Sequence, residues 1–269
     1  MNKVNSVEHL VELVSKIRNL KKGFFTNFYL DTFKHDIWIK KNILFFEEYG
    51  ETLFFIRLNK GFWNIFHTTS NIDELNNSLS TFLQIHSTQL MITDIIGNEE
   101  QCILINDCFK RNSFQYYNKL VRMSKLTKEE LEFSPNNNVS YANIDDAGTV
   151  LSILNKYFDP LCEQIPYIEE ISEYAKDNKI LLYKENELIL GFVIYEMNKS
   201  TLYLRYWFVH PDHRNKKIGS TLLNHYFYEG RQTRRQLFWV LTDNENAIKR
   251  YRHFGYNEEN MYDYILIKK

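Results

Sequence analysis

Glycine and proline are scarce in this chain, at 9 and 4 of 269 residues. That argues against a loop-dominated fold, whose turns draw heavily on both. The three cysteines, Cys102, Cys108 and Cys162, are odd in number and irregularly spaced, with no CxxC pair. They make neither a disulfide framework nor a zinc site of the usual spacing. Reduced, mostly buried thiols in a cytoplasmic protein are expected. Net charge is nearly absent, at −1. Nucleic-acid binders usually carry a basic excess, so no nucleic-acid partner is expected. No run approaches the ~20 apolar residues of a membrane span, so no membrane partner is expected either. The first 22 residues lack the uninterrupted apolar core of a signal peptide. They read as an amphipathic helix with Val4, Leu10, Leu13, Val14 and Ile17 on one side.

What is present is core material. Hydrophobic residues make up 44% of the chain and include 20 Phe and 18 Tyr, enough for one large domain or two ordinary ones. After the first helix come strand-like runs at residues 43–49, 52–58 and 62–68, with turn residues between them at Gly50-Glu51 and Asn59-Lys60-Gly61. A helix opened by Asn71, a buried strand at 89–96, a helix at 98–112 and a strand at 114–123 follow. The polar stretch from Ser124 to Ser140 holds a Pro and three successive Asn residues and marks a boundary. Beyond it come a strand near 139–144, helices at 147–157 and 168–176, and strands at 180–184, 187–197 and 200–209. A helix at 218–228, a strand at 236–242, a helix at 246–254 and a final strand at 262–267 complete the pattern. Both halves run strand, strand, strand, helix, strand, helix, strand, the order of an internal duplication. The fold class is therefore α/β of the α+β type. Domains are expected at 1–125 and 138–269, with 126–137 as linker.

The chemistry-bearing segment is WFVHPDHRNKKIGSTLL, Trp207 to Leu223. A strand ends at Val209, and Pro211 stops its pairing because it has no N–H to donate. A loop with Arg214, Lys216 and Lys217 then enters a helix near Ile218. A helix start leaves backbone N–H groups without intrahelical partners and carries positive potential, so it binds phosphate, and flanking cations strengthen it. Gly219 is expected to let the backbone approach a ligand.

Val209, Pro211, Arg214 and Gly219 fit the pattern V-x-P-x-x-[RQ]-[RG]-x-G-x-[GA]. The stretch thus resembles the acyl-CoA loop of the GNAT superfamily of N-acyltransferases, with Lys217 standing where the family usually has its first Gly. A second segment, Asn244, Ala247, Ile248, Tyr251, Gly255 and Tyr256, is similar to that family's N-x-x-A-I-x-x-Y-x-x-x-G-[FY]. Asp145-Asp146 at the first helix and Leu190-Gly191-Phe192 in a strand also fit. The resemblance covers about half of the chain, from Asn138 onward. It implies two GNAT-like domains, each a mixed, mostly antiparallel twisted sheet flanked by helices. The first has no basic Gly loop, since TSNIDEL follows its third strand, and is expected to have lost the cofactor site. Tandem chains with one degenerate half are a recognised arrangement in that superfamily.

By the same resemblance acetyl-CoA, or another acyl-CoA, binds where two parallel central strands part. Backbone groups of Trp207, Phe208 and Val209 would pair with the pantetheine. Arg214 and the amides of Asn215, Lys216, Lys217, Ile218, Gly219 and Ser220 would hold the pyrophosphate, and Asn244 would lie near the pantetheine arm. Tyr251 would be the general acid that protonates the leaving thiolate, since a phenol of pKa near ~10 holds its proton at neutral pH. The base is open among Glu196, His210, His225 and a water relay. The acceptor is a small-molecule or peptide amine, and Glu163, Glu169 and Glu170 in the segment 159–171 are candidates to attract it. His210 and His213 flank Pro211, but two His without a third ligand do not make a metal site. Cys162 has no evident His partner and is expected to be structural. Two other functions stay open: an acyl-CoA-binding or interaction module without turnover, and an aminoacyl transferase on a tandem scaffold. The oligomeric state is open as well.

Overall fold

A computed structural model describes residues 1–127 and 133–269. In chain order the elements begin with β1 (Asn2–Lys3), α1 (Val7–Arg18), β2 (Phe25–Thr26), α2 (Thr32–Lys40), β3 (Leu44–Tyr49), β4 (Thr52–Asn59) and β5 (Phe62–Thr69). Next come α3 (Ile72–Ile85), β6 (Met91–Gly97), α4 (Glu99–Arg111), β7 (Gln115–Leu126) and β8 (Val139–Tyr141). The remainder is α5 (Ala147–Tyr157), α6 (Ile168–Lys176), β9 (Ile180–Glu185), β10 (Leu188–Asn198), β11 (Thr201–Val209), α7 (Ile218–Glu229), β12 (Arg235–Leu241), α8 (Glu245–His253) and β13 (Asn257–Lys268). The repeated order is present as β3-β4-β5-α3-β6-α4-β7 and β9-β10-β11-α7-β12-α8-β13. Among the described residues no helix is long and apolar enough to cross a membrane.

The chain divides into two compact units, one of residues 1–120 with 260–269, the other of residues 121–259. The expected boundaries put the whole last strand in the second domain. The structure instead pairs β13 antiparallel with β6, from Tyr262 opposite Gly97 to Lys268 opposite Met91, so residues 260–269 belong to unit 1. Conversely residues 121–126 of β7 belong to unit 2, where β7 lies beside β12. The expected linker, 126–137, includes 128–132, which lie outside the described residues.

Unit 1 has the strand order β1-β3-β4-β5-β6-β13, with β2 also on β5. On one sheet face Phe54, Ile56 and Ile65 pack with Leu75, Leu79 and Phe82 of α3 and Ile105 and Phe109 of α4. Those helices start where sequence chemistry directs: Asn71 caps α3, and Asn98 with Gln101 forms a capping box on α4. The other face is aromatic. Phe28 stacks on Phe55 at 4.1 Å and on His35 at 4.6 Å, and the Arg57 guanidinium lies 4.4 Å from the Trp38 ring centroid. The helix α2, which supplies His35 and Trp38, has no counterpart in the sequence expectation. It is a nine-residue helix burying two side chains, and its one signal is Asp31, whose carboxylate accepts the Lys34 N–H at 3.0 Å.

Unit 2 places β11 between β12 and β10, followed by β9 and β8. On one face Phe192, Ile194, Tyr206 and Phe208 pack with Val150 and Leu154 of α5 and Ile171 and Tyr174 of α6. The helix α7 covers the other face and comes close at Gly191. A Cβ there would lie 2.8 Å from the Phe208 carbonyl oxygen, 3.0 Å from Leu222 Cδ1 and 3.1 Å from Ile218 Cγ2. A side chain would push α7 off β10, and overpacking of this kind costs about 1–3 kcal/mol. Gly191→Ala should lower the unfolding free energy by that amount in urea titration, with the m-value unchanged.

Candidate active site

The site begins with a ladder that stops. Strands β11 and β12 are parallel neighbours only at Thr201–Arg235, Leu202–Gln236 and Tyr203–Leu237. Past that point β11 stays paired with β10 as far as Val209 opposite Gly191, and its other edge has no ladder partner among the described residues. A bulge sets the divergence. Ile194 lies opposite Tyr206 and Tyr195 opposite Leu204, so Arg205 is an extra residue in β11 just beyond the last pair with β12. A bulge bends and twists its strand. The Arg205 side chain is anchored at 3.4 Å to Glu196, which also accepts the Tyr174 hydroxyl at 2.6 Å. Glu196, one of the base candidates, thus holds the bulge in place.

Beyond Val209 the chain closes a short 3₁₀ turn over residues 211–213 and arrives at Lys217 with φ +59° and ψ 7°. This left-handed conformation costs a residue with a side chain about 1–2 kcal/mol and glycine almost nothing. The position needs the backbone that glycine usually supplies, and here a lysine adopts it. The first intrahelical bond of α7 is donated by the Thr221 N–H to the Lys217 carbonyl at 3.0 Å. The N–H groups of Ile218, Gly219 and Ser220 precede that ladder. Arg214, Asn215, Lys216 and Lys217 are exposed around them, with Ser220 beside them.

The structure gives Gly219 a different task from close approach to a ligand. It is buried, and a Cβ there would lie 2.8 Å from Trp207 Cζ2 and 3.3 Å from Val209 Cγ2. Gly219 lets the first turn of α7 rest on these two side chains. The Trp207 indole N–H is buried without a hydrogen-bond partner among the described residues.

Asn244 caps α8 by accepting the Ala247 N–H at 3.2 Å. About two turns on, Tyr251 is buried, its ring centroid 4.0 Å from that of Phe238 on β12 and 5.4 Å from that of Trp207 on β11. It therefore joins the two diverging strands from the α8 side. Burial pushes its phenol pKa up, and the charge of Glu163 pushes it further. Tyr251 holds its proton at neutral pH.

Glu163 is the group that sequence reasoning placed only as an amine attractor. It lies in the α5–α6 connection, and its backbone carbonyl accepts the Tyr206 hydroxyl at 2.7 Å. Its carboxylate accepts the Asp159 N–H at 3.2 Å. Burial raises its pKa to about 7, opposed by that hydrogen bond and assisted by the charge of Asp159. Nothing in the sequence singles it out from Glu169 and Glu170. Glu170 accepts the Tyr167 N–H at 2.8 Å in a capping box on α6, and Glu169 is exposed.

The other base candidates are engaged. His225 accepts the Asn136 N–H at 3.1 Å, and burial lowers its pKa. His210 accepts the Asp212 N–H at 3.4 Å and lies 3.5 Å from the Tyr157 hydroxyl. Its ring is 5.6 Å from that of His213. Cys162 is buried and reduced, its thiol 3.6 Å from an Asp159 carboxylate oxygen. A depression of about 430 Å³ lined by Glu196, Ser200, Thr201, Tyr203 and Leu237 lies at the opposite, paired end of β11 and β12. The chemistry collects at the splayed end.

A parallel pair that parts beside a helix start, within a mostly antiparallel sheet, is the arrangement of the acetyltransferase fold. Residues 148–256 match the acetyltransferase (GNAT) family. Solved structures agree on the fold. A GCN5-related N-acetyltransferase from Sphaerobacter thermophilus is 13% identical with a TM-score of 0.60, covering 81% of this chain and 76% of its own. A GNAT-family acetyltransferase from Colwellia psychrerythraea is 10% identical with a TM-score of 0.54, covering 99% of this chain and 98% of its own. A tandem GNAT protein from the clavulanic acid biosynthesis pathway is 9% identical with a TM-score of 0.54, covering 81% and 78%. No curated protein matches the sequence.

The left-handed Lys217 gives a direct stability test. Lys217→Gly should raise the unfolding free energy by roughly 0.5–1 kcal/mol, because relief of strain outweighs glycine's extra freedom in the unfolded chain. Lys217→Ala keeps the strain and should leave it nearly unchanged in the same urea titration.

Proposed function

We propose that unit 2 transfers an acyl group, acetyl foremost, from acyl-CoA to a primary amine in a ternary complex. The observation that carries this reading is the unpaired edge of β11 ending at a helix start with uncommitted N–H groups and three exposed cations. The fit to acyl-CoA is chemical. A pantetheine arm bears amide groups that suit an open strand edge, and Trp207 adds an unpartnered indole donor. Pyrophosphate suits the start of α7, with Arg214, Lys216 and Lys217 around it. Asn244 keeps its side-chain amide N–H₂ for the arm while its oxygen caps α8.

The reaction then follows from buried Tyr251 and half-buried Glu163. The amine nitrogen attacks the thioester carbonyl carbon, forming the C–N bond as the C–S bond breaks. Glu163 takes the proton that the amine loses, and Tyr251 gives its proton to the departing thiolate. Ionised Glu163 also favours an acceptor, small molecule or peptide, that arrives as a cation and releases one proton to solvent before it attacks. No nucleic acid or membrane enters this reading.

Titration calorimetry with acetyl-CoA and with CoA tests the binding step. One saturable site is expected, and Lys216→Glu with Lys217→Glu should weaken it at least about tenfold through repulsion of the phosphates. No binding of any short-chain acyl-CoA would overturn the proposal. Thiol release across a panel of amines tests the chemistry, where Tyr251→Phe should lower kcat by about 10²-fold or more.

The pH profile has a definite sign. Glu163 accepts a proton only when ionised, so the rate should fall as pH drops through about 7 and level off above it. Glu163→Gln should remove that limb and leave a slower, flatter profile.

A further inference from the structure

Unit 1 contains the same kind of parting strands, and they are not open. Parallel β5 and β6 are paired only at Trp63–Met91 and Asn64–Ile92. At its far end β5 pairs with β4 along one edge, Thr68 opposite Leu53 and Thr69 opposite Thr52. The same two residues also pair with β2, Thr69 with Phe25 and Thr68 with Thr26. A strand has two edges, so β2 occupies the edge that faces β6.

Asn27 completes the closure. Its backbone N–H donates to the His67 carbonyl at 3.3 Å, and its side-chain oxygen accepts the His67 N–H at 2.6 Å. Its side-chain N–H₂ donates to the Asp94 carbonyl of β6 at 2.6 Å and to the Thr93 hydroxyl at 3.2 Å. One asparagine therefore bridges both parted strands. The Thr26 hydroxyl adds a bond to the His67 carbonyl at 2.8 Å, and Asn27 and Phe28 are 5% and 3% exposed. The approach is shaped for this insertion. Gly23 has φ +117°, and a Cβ there would lie 2.5 Å from the Ser70 carbonyl oxygen.

We propose that residues 25–28 are a built-in occupant of the unit 1 cleft, taking the place between parted strands that the pantetheine arm takes in unit 2. The chain then holds a single thioester ligand, in unit 2, and the strap excludes a second from unit 1. The comparison rests on the acyl-CoA reading of unit 2, whereas the insertion itself rests only on the bonds of Asn27 and its neighbours.

Two measurements on the full chain separate these. Calorimetry with CoA should give one equivalent per chain, and two equivalents would overturn the proposal. Amide exchange followed by NMR tests the strap whether or not CoA binds. The His67 amide and the Asn27 side-chain amide protons should exchange at least a hundredfold more slowly than exposed amides. Asn27→Ala should accelerate the His67 amide tenfold or more while the Ile56 and Phe54 amides keep their protection, which also reports that the variant is folded. Exchange of the Asn27 side chain at free-amide rates in the unaltered protein would overturn the insertion without recourse to any variant. Absence of CoA binding together with slow exchange would overturn the reading of unit 2 and leave the strap as the fixed occupant of unit 1.

Discussion

A strand edge that loses its neighbour inside a sheet leaves backbone N–H and C=O groups with nothing to bond, and a buried group in that state is costly. Each unit contains such an edge, because each has a parallel pair that stays together for only two or three residues. The two units meet the demand differently. In unit 1 the protein satisfies it with β2 and Asn27. In unit 2 the ladder ends at Tyr203 and Leu237, and a bulge at Arg205 turns β11 away. The β4–β5 ladder runs from Thr52–Thr69 to Asn59–Phe62 without a register shift, so unit 1 has no matching bulge in that ladder. The bulge and the unfilled edge occur together in the unit that carries the basic loop.

The loop depends on the same geometry. The helix α7 can lie low on β10 and β11 because Gly191 and Gly219 have no side chains where it crosses. Its first turn rests on Trp207 and Val209, at the end of the splayed strand. Lowering the helix start to this level requires a left-handed residue just before it, and Lys217 accepts that strain. The departure from glycine is thus a change of side chain on an unchanged backbone path. It adds a cation at the mouth of the helix at a cost of about 1–2 kcal/mol. Under the acyl-CoA reading, several phosphate charges at this helix start give a physical reason to keep it.

Sequence exposed the local parts of this structure. Pro211, the basic loop and the Asn244-to-Tyr251 spacing each lie within one strand end or one helix, where neighbours in the chain are neighbours in space. The element order of both halves was legible for the same reason. What sequence hid is pairing between distant segments. Nothing in Phe25 to Phe28 announces a partner some 40 residues on, and nothing in β13 says that it completes the sheet of unit 1. Glu163 was hidden among three glutamates, because its distinction is a raised pKa and the hold of Tyr206 on its carbonyl. Glu196 was one base candidate, on the strand that precedes the two central ones. Its partners Arg205 and Tyr174 show it instead as a strut for the bulge.

Under the acyl-transfer reading, the electrostatic link between Glu163 and Tyr251 orders the two proton transfers. Before reaction, Glu163 must be ionised to accept the amine proton, and its negative charge raises the Tyr251 pKa beyond what burial alone does. The phenol is then a poor acid, which protects the intact thioester site from premature proton loss. Once Glu163 has taken the amine proton it is neutral, and that contribution to the Tyr251 pKa disappears. Tyr251 becomes a better acid at the stage when a thiolate is forming and needs a proton. The low dielectric that raises both pKa values also strengthens the coupling between them. Burial is the larger cause of both shifts, and the Glu163 charge adds to that of Tyr251. Such a pair performs base and acid work in sequence only if both side chains are held at the parted strands. The Asp159 N–H holds the Glu163 carboxylate while the Tyr206 hydroxyl fixes its backbone carbonyl, and packing on Phe238 and Trp207 holds Tyr251.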